Sequence, residues 1–358
     1  MFGQNQPSSY SFFVAGHTYG EPGVNSIGFH PPFKQKFSYL QERSEIKFGV
    51  LTGDIVSPGP TVQDWEEVDA DIETLGLPVY FAVGNHDMEN RELFESRYGQ
   101  TYYSFIYQND LFITLDPNID GWNISGDQLQ FLQNTVSDFS PTVNNIYVFF
   151  HQILWKDSDN QFNYIHWNSS SGRDDTINFW TDVEPLFRNL PNKVVMFAGD
   201  LGASWSSNVT YDSYDNMTFI ASGMGDEDGE NFIVVNVNAD KSVNYDLICL
   251  SDSNINCLGM LTDYIVVSDA SNINDLNFNE QFETVAFPNP IIDNITVLQN
   301  KGSHASILIY NLQGSLLLED NFSGKFKQTI NLSNFSAGMY IMHIVNDNKT
   351  TTIKLIKN

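Results

Sequence analysis

Apolar and polar positions alternate in two textures along the chain. From Tyr10 to about Leu250, short β-branched and aromatic runs are separated by stretches of helical spacing. SFFVAG, KFGVLTGD, PVYFAVGNHD, DLFITLDP, NIYVFFHQ and KVVMFAGD predict strands. Several of them stop at a Gly, Asp, Asn or His, and the carboxyl ends of strands are where open α/β sheets place their sites. In TVQDWEEVDADIETLG, Val62, Trp65, Val68 and Ile72 share one helical face and Gly76 marks the stop. SGDQLQFLQNTVSDF predicts a second helix, with Leu129, Leu132 and Val136 on one face, and DDTINFWTDVEPLFRNL a third. ENFIVVNVNADKSVNYDLICL predicts a hairpin that turns at Asn238-Ala239-Asp240-Lys241.

After Cys257 the texture changes. Residues 261–282, rich in Ser, Asn and Asp, read as a linker. Residues 283–358 carry short strands with turn signals between them, the pattern of a small all-β sandwich. The organisation expected is therefore an α/β domain over residues 1–260, the linker, and a C-terminal module.

The net charge of −27 argues against nucleic acid as a partner, because that binding neutralises phosphates with Lys and Arg. It also means that an anionic substrate needs local help, such as bound metal, to approach. No apolar run is long enough to span a bilayer. The opening MFGQNQPSSYS has neither the basic start nor the apolar core of a leader. Two readings follow: a cytoplasmic protein, or a chain that begins after a removed leader. Cys249 and Cys257 close a small loop if the compartment is oxidising, or stay as one buried and one exposed thiol if it is not.

The strand ends carry the candidate chemistry. Gly53-Asp54, Gly84-Asn85-His86-Asp87, His151 in FFHQ and Asp200 in AGD stand in order along the chain. YGQTYYSFIYQNDLFITLD pairs a Tyr-Tyr-Ser-Phe strand with a Leu-Asp strand. Together these segments resemble the calcineurin-like metallophosphoesterases over residues 10 to 250. The resemblance implies two packed mixed β-sheets flanked by helices, an αββα arrangement. It also implies hydrolysis of phosphomono- or diesters on one or two divalent transition-metal ions (Mn, Zn or Fe). Such ions supply a nucleophilic oxygen near neutral pH and neutralise phosphoryl charge. By the same resemblance Asp54 bridges the metals, and Asn85 and His151 bind the second of them. His86 protonates the leaving oxygen, with Asp87 as its orienting partner.

Two departures bear on this reading. The family's first motif is Asp-x-His, but His17 and Tyr19 stand there in GHTYG. Its last motif is Gly-His-x-His, but the chain reads Gly199-Asp200-Leu201-Gly202. An Asp has become His at one end and a His has become Asp at the other. A ligand swap would preserve charge, with Asp54, Asn85, His151 and Asp200 on the second metal and His17 and Asp54 on the first. Against this stand a loop histidine at His17 bonded to backbone and a turn aspartate at Asp200. Tyr19 is read as a structural or substrate-contacting group rather than a ligand. The alternative function is a non-catalytic or one-metal surface protein that binds phosphate- or glycan-containing ligands on the same fold.

The insert WKDSDNQFNYIHWNSSSGRDD offers Arg173, His166 or Trp167 to a phosphate or sugar, against the alternative of a solvated loop. GDEDGEN lacks the distal Glu of a calcium loop and reads as a turn. His30, His304 and His343 receive no role.

The C-terminal module opens with Pro288-Asn289-Pro290, continues through IYNLQG and SAGMYIMHI, and ends in KLIKN, with Lys349, Lys354 and Lys357 in an otherwise acidic chain. It resembles the type A sorting domain of the type IX secretion system of Bacteroidota, against the alternative of an accessory domain for carbohydrate or protein binding. This resemblance implies a partner in the secretion machinery and a location outside a Gram-negative cell or on its outer membrane. It also implies a leader already trimmed from the chain, and it favours the Cys249–Cys257 bridge.

Overall fold

The computed structural model describes residues 9–20, 28–203, 205–225, 229–250, 254–268, 284–287, 291, 294–299, 304–323, 327–346 and 349–357. The chain divides into two compact units, Met1–Asp269 and Ala270–Asn358. The first unit carries β1 (Tyr10–Ala15), β2 (Ile46–Thr52), β3 (Val79–Ala82), β4 (Tyr103–Tyr107), β5 (Asp110–Thr114) and β6 (Asn145–Phe149). It continues with β7 (Lys193–Ala198), β8 (Val209–Tyr214), β9 (Met217–Ser222), β10 (Asn231–Val237), β11 (Val243–Cys249) and β12 (Ile265–Ser268). Its helices are α1 (Pro31–Lys34), α2 (Phe37–Gln41), α3 (Val62–Leu75), α4 (Arg91–Tyr98) and α5 (Gly126–Phe139).

The strands form a five-stranded sheet, β11-β10-β1-β2-β3, and a seven-stranded sheet, β12-β8-β9-β7-β6-β5-β4. Both are mixed: β1, β2 and β3 run parallel, as do β5, β6, β7 and β9, while β10, β11 and β4 are antiparallel to their neighbours and β8 is antiparallel to β9. Side-chain alternation explains the layering. Phe12 and Val14 of β1 join Phe112, Tyr147, Phe149 and Phe197 in a core between the two sheets. Phe13 and Ala15 point the other way, onto Phe33, Leu40, Trp65 and Phe94 of the helices. The far side of the larger sheet packs on α5 and on the insert after His151, through Leu132, Val136, Trp155 and Phe179. The order is helices, sheet, sheet, helices.

α3 begins where the sequence places it: Thr61 and Asp64 form a capping box, and Gly76 closes the helix in a left-handed conformation at φ 67°. The third predicted helix does not form. Phe179–Val183 is a single π turn and Glu184–Leu186 a 3-10 turn, because Pro185 has no N–H to continue the ladder and its ring clashes with the preceding turn. Part of the expected linker is structured too. Leu261–Tyr264 forms a 3-10 turn, and β12 pairs in parallel with β8, so residues 261–268 belong to the first unit. Cys249 and Cys257 are bridged, with their Cα atoms 5.8 Å apart.

The second unit is a sandwich of β13 (Thr284–Phe287), β14 (Asn294–Gln299) and β17 (Lys327–Asn331) against β15 (His304–Asn311), β16 (Leu316–Ser323), β18 (Gly338–Asn346) and β19 (Lys349–Lys357). Ile295, Val297 and Ile330 of one sheet meet Ile307, Ile309, Met342, Ile344 and Leu355 of the other in its core. The Pro288-Asn289-Pro290 opening, and residues 226–228 of GDEDGEN, lie outside the described residues.

Candidate metal centre

The carboxyl ends of β1, β2, β3, β6, β7 and β9 bring the candidate residues together. His17 follows β1, Asp54 follows β2, Asn85 and His86 follow β3, His151 follows β6 and Asp200 follows β7. Glycines allow these loops to touch. A Cβ on Gly199 would stand 1.9 Å from Thr52 O, and one on Gly84 would stand 2.2 Å from the backbone nitrogen of Asp54. His17 and Asp54 themselves take positive φ, 56° and 49°, a conformation that costs a side-chain-bearing residue energy and is held by the surrounding contacts. His17 N donates to Gly53 O at 3.0 Å, and Met224 N to Gly16 O at 3.2 Å.

The cluster converges on Asp54 Oδ2. His151 Nε2 lies 3.3 Å from it, His86 Nδ1 3.5 Å and His17 Nε2 3.8 Å. His151 Nε2 is also 3.7 Å from Asp200 Oδ1. The other oxygen of Asp54 accepts from His86 N at 3.1 Å. His17 Nδ1 donates to Met224 O at 2.7 Å and His151 Nδ1 to Thr52 O at 2.8 Å. Each ring thus turns its Nε2 toward the carboxylate, the arrangement by which a carbonyl partner fixes the tautomer of a metal-binding histidine. His151 Nε2, His86 Nδ1 and Asp200 Oδ2 are buried without a hydrogen-bond partner. A lone pair facing a carboxylate is repulsive unless a proton or a cation lies between them.

The titration behaviour has the same cause. Burial lowers the His17 pKa to about 4, against the pull of Asp54, so the ring is neutral at pH 7. Burial opposes charge on His151 too, but Asp54 and then Asp200 outweigh it and lift the pKa to about 10. Burial raises Asp200 to about 8, with His151 opposing and Asp54 adding. Burial also acts to raise Asp54, but His151, His86 and His17 hold it well below the ordinary carboxylate range.

Among the described residues no three His, Cys, Asp or Glu groups are already closed around one point. The donors instead face one another in pairs across the gaps given above. Two ligands each about 2.1 Å from a shared ion stand roughly 3–3.8 Å apart. The partnerless His151 Nε2 and Asp200 Oδ2 and these 3.3–3.8 Å spacings fit a divalent ion that takes the place of protons between Asp54, His151, His17 and Asp200.

Other candidates are placed differently. Asp87 does not hydrogen-bond His86: its carboxylate accepts from Ile55 N, Val56 N and Gly84 N at 2.9, 3.1 and 2.8 Å. It joins the β2 and β3 loops, and burial and the charge of Asp54 raise its pKa to about 7. Tyr19 is buried, with its ring centroid 4.5 Å from that of His17 and 5.4 Å from that of His86. Burial, then Asp54 and Asp200, raise its pKa, so it is a neutral phenol. Asn85 is half-buried beside His86. Arg173 is held in the insert by Asp157 at 3.2 Å, with its guanidinium 6.0 Å from the ring centroids of Trp122 and Trp167.

Three groups of contacts escaped the sequence. Asn168 N donates to Asp200 O at 3.0 Å, which brings the insert to the centre. Gln152, next to His151, donates to Asn118, which donates to Val83 O. His30 Nε2 pairs with Glu230 Oε1 at 2.8 Å, the same oxygen accepts from Gly225 N, and His30 N donates to Thr18 O. The loop bearing His17 is thereby tied to the loop bearing Met224. Local sequence pattern carries no signal for pairs this far apart.

Comparison with known proteins supplies the context. Residues 26–183 match the family model described as calcineurin-like phosphoesterase, and residues 285–358 that described as secretion system C-terminal sorting domain. The first match includes Asp54, Asn85, His86, Asp87 and His151, and leaves out His17, Tyr19, Asp200 and Gly202, the positions that depart from the family pattern. An ulvan lyase, NLR42, of Nonlabens ulvanivorans is 37% identical over 73 residues, which is 20% of this chain and 14% of that protein. A protein described as a 5′-nucleotidase from Staphylococcus aureus aligns with 69% of this chain and 55% of its own, at 12% identity and a TM-score of 0.40. A DUF3244 family protein of immunoglobulin-like β-sandwich fold from Bacteroides vulgatus aligns with 21% of this chain and 98% of its own, at 18% identity and a TM-score of 0.18. With TM-scores this low, neither structure bears on what the chain does. No described helix is long and apolar enough to cross a membrane. The chain thus carries a match to a calcineurin-like phosphoesterase model over less than half its length and a match to a secretion-system sorting domain at its C-terminal part, and by the latter it is a secreted or cell-surface protein.

Proposed function

We propose that the protein is an exported, metal-dependent phosphoesterase of a Gram-negative bacterium, acting on phosphomono- or diesters. The observation that carries this reading is the gathering of His17 Nε2 and His151 Nε2 on Asp54 Oδ2, at 3.8 and 3.3 Å, beside the partnerless Asp200 Oδ2. A divalent ion held by these groups and Asn85 would supply a nucleophilic oxygen at neutral pH and offset phosphoryl charge. The chain's own residues do the rest. Asp54 accepts from His86 N and so sets the β3 loop. Asp87 fixes that loop to the β2 loop through backbone N–H groups. The His86 side chain is 21% exposed against 3% for Asp54 and 0% for His151, so it is the member of the cluster that meets solvent. That is the position from which an imidazole hands a proton to a leaving oxygen.

A one-ion centre is favoured over a two-ion centre by a specific observation. On the His17 side the remaining family positions hold the neutral phenol of Tyr19 and Gly202, which brings no donor. Elemental analysis after loading with Mn²⁺, Zn²⁺ or iron, with hydrolysis of phenyl phosphate and bis-phenyl phosphate in parallel, tests both statements. One ion per chain, lost in His17→Ala, together with hydrolysis, is expected. An ion-free wild type would remove the proposal, and two ions would remove the one-ion form.

A further inference from the structure

Trp205 is 62% exposed. A single exposed apolar side chain is ordinary, and what distinguishes this one is its tether. Its indole N–H donates to Asn168 O at 2.8 Å. Asn168 N in turn donates to Asp200 O at 3.0 Å, and Asn168 Oδ1 accepts from Ala203 N at 3.1 Å. One residue of the insert therefore clamps the loop that leaves β7 at the candidate donor Asp200 and fixes the indole at the loop's far side. Along that path the indole nitrogen lies within roughly 10 Å of the Asp200 carbonyl.

The other tryptophans of this rim are used differently. Trp167 has Lys156 Nζ 4.4 Å from its ring centroid, and Trp122 and Trp167 meet edge to face at 5.5 Å with Arg173 beside both. Their faces serve the insert. Among the described residues no cation lies over Trp205, whose N–H is satisfied while its ring stays open to solvent. Beside it, Asn168 Nδ2 is a buried donor without a partner. A rigid ring, open to solvent and tethered to the loop that carries Asp200, is a surface that takes a flat apolar face.

We propose that Trp205 is an aromatic platform for the esterified alcohol, selecting phosphoesters whose leaving group carries a ring: a nucleoside, a pyranose or an aryl group. This rests on the phosphoesterase reading, and the test separates the two. Binding of phenylphosphonate and methylphosphonate to the metal-loaded full chain is measured by calorimetry for wild type, Trp205→Ala and Trp205→Phe. Stacking on an aromatic side chain is worth about tenfold or more in affinity. Wild type is therefore expected to prefer phenylphosphonate at least tenfold. Trp205→Ala should bring the preference within about twofold with methylphosphonate affinity unchanged, and Trp205→Phe should keep most of it. A preference that survives Trp205→Ala, an equal loss for both ligands, or a wild type that binds neither or shows no preference overturns the proposal. Failure to hydrolyse phenyl phosphate alongside a Trp205-dependent preference sinks the phosphoesterase reading and leaves the platform standing. Competition by adenosine 5′-monophosphate against glucose 6-phosphate then tells a flat base from a pyranose, and either winner supports the platform.

Discussion

Gly202 stands where the family pattern carries a second histidine, so Gly202→His is the substitution that the pattern recommends for completing a two-ion centre. The backbone argues against it. Gly202 has φ +106°, and a Cβ there would lie 2.6 Å from Met224 N and 2.7 Å from the carbonyl carbons of Gly223 and Met224. A non-glycine residue in such a conformation costs about 1–3 kcal/mol. Forcing atoms into a packed region costs about as much again, and here the obstacle is backbone, which cannot rotate away. The total is on the order of 2–6 kcal/mol, or roughly 5–20 °C in the unfolding midpoint of a domain this size. The loop that must yield carries Met224 O, the acceptor that aims the His17 ring. Gly202→His is therefore expected to lower the melting temperature and to weaken metal binding. Circular dichroism melts in chelator isolate the backbone cost, and elemental analysis after loading reads the centre. Gly202→Ala should show most of the same stability loss, because the clash begins at Cβ. A histidine variant with an unchanged melting temperature and one additional ion per chain would refute the reasoning.

Two further expectations concern the centre. His86→Ala should reduce turnover about a hundredfold or more while leaving metal content unchanged; lost metal would make His86 a ligand, and unchanged turnover would remove its role as proton donor. In chelator, His151 and Asp200 hold protons in the fold up to about pH 10 and 8, whereas in the unfolded chain they release them near 6.5 and 3.8. Their stabilisation is complete below the unfolded values and is lost as pH rises through the folded ones. His17, at about 4 in the fold, is neutral in both states above pH 7 and does not enter. The melting temperature of chelated protein should thus fall between pH 7 and 10, and saturating Mn²⁺ or Zn²⁺ should remove most of that slope by taking the place of the protons. A profile that is flat in chelator would contradict the buried pairing of these groups.

Strand ends were legible in the sequence because two constraints coincide there. A buried strand needs an apolar run, and a site needs polar atoms where that run stops, so GD, GNHD, FFHQ and AGD mark both the fold and the centre. Asp87 shows where such reading ends. The sequence sets it next to His86, and adjacency suggests partnership, yet its carboxylate turns to the N–H groups of Ile55, Val56 and Gly84. A buried carboxylate satisfies the donors nearest in space, and two of those come from another strand. The third predicted helix fails for a local reason that outweighs its apolar spacing, the proline at position 185.

The departures at His17 and Asp200 are a different case. In sequence they read equally as ligand exchange or as decay, because neither loop reports on the other. In the fold His17 is aimed by Met224 O, Asp200 N is bonded to His151 O, and a histidine–glutamate pair from outside every motif ties the His17 and Met224 loops together. A decayed site has no reason to keep two buried imidazoles gathered on a buried carboxylate, because burying ionisable groups is costly. Relaxation would rotate the rings, open the pocket to water, or replace Asp54. That this buried cluster is kept on the side of the centre where the family pattern is broken is what supports the proposal that the exchanged residues serve one ion.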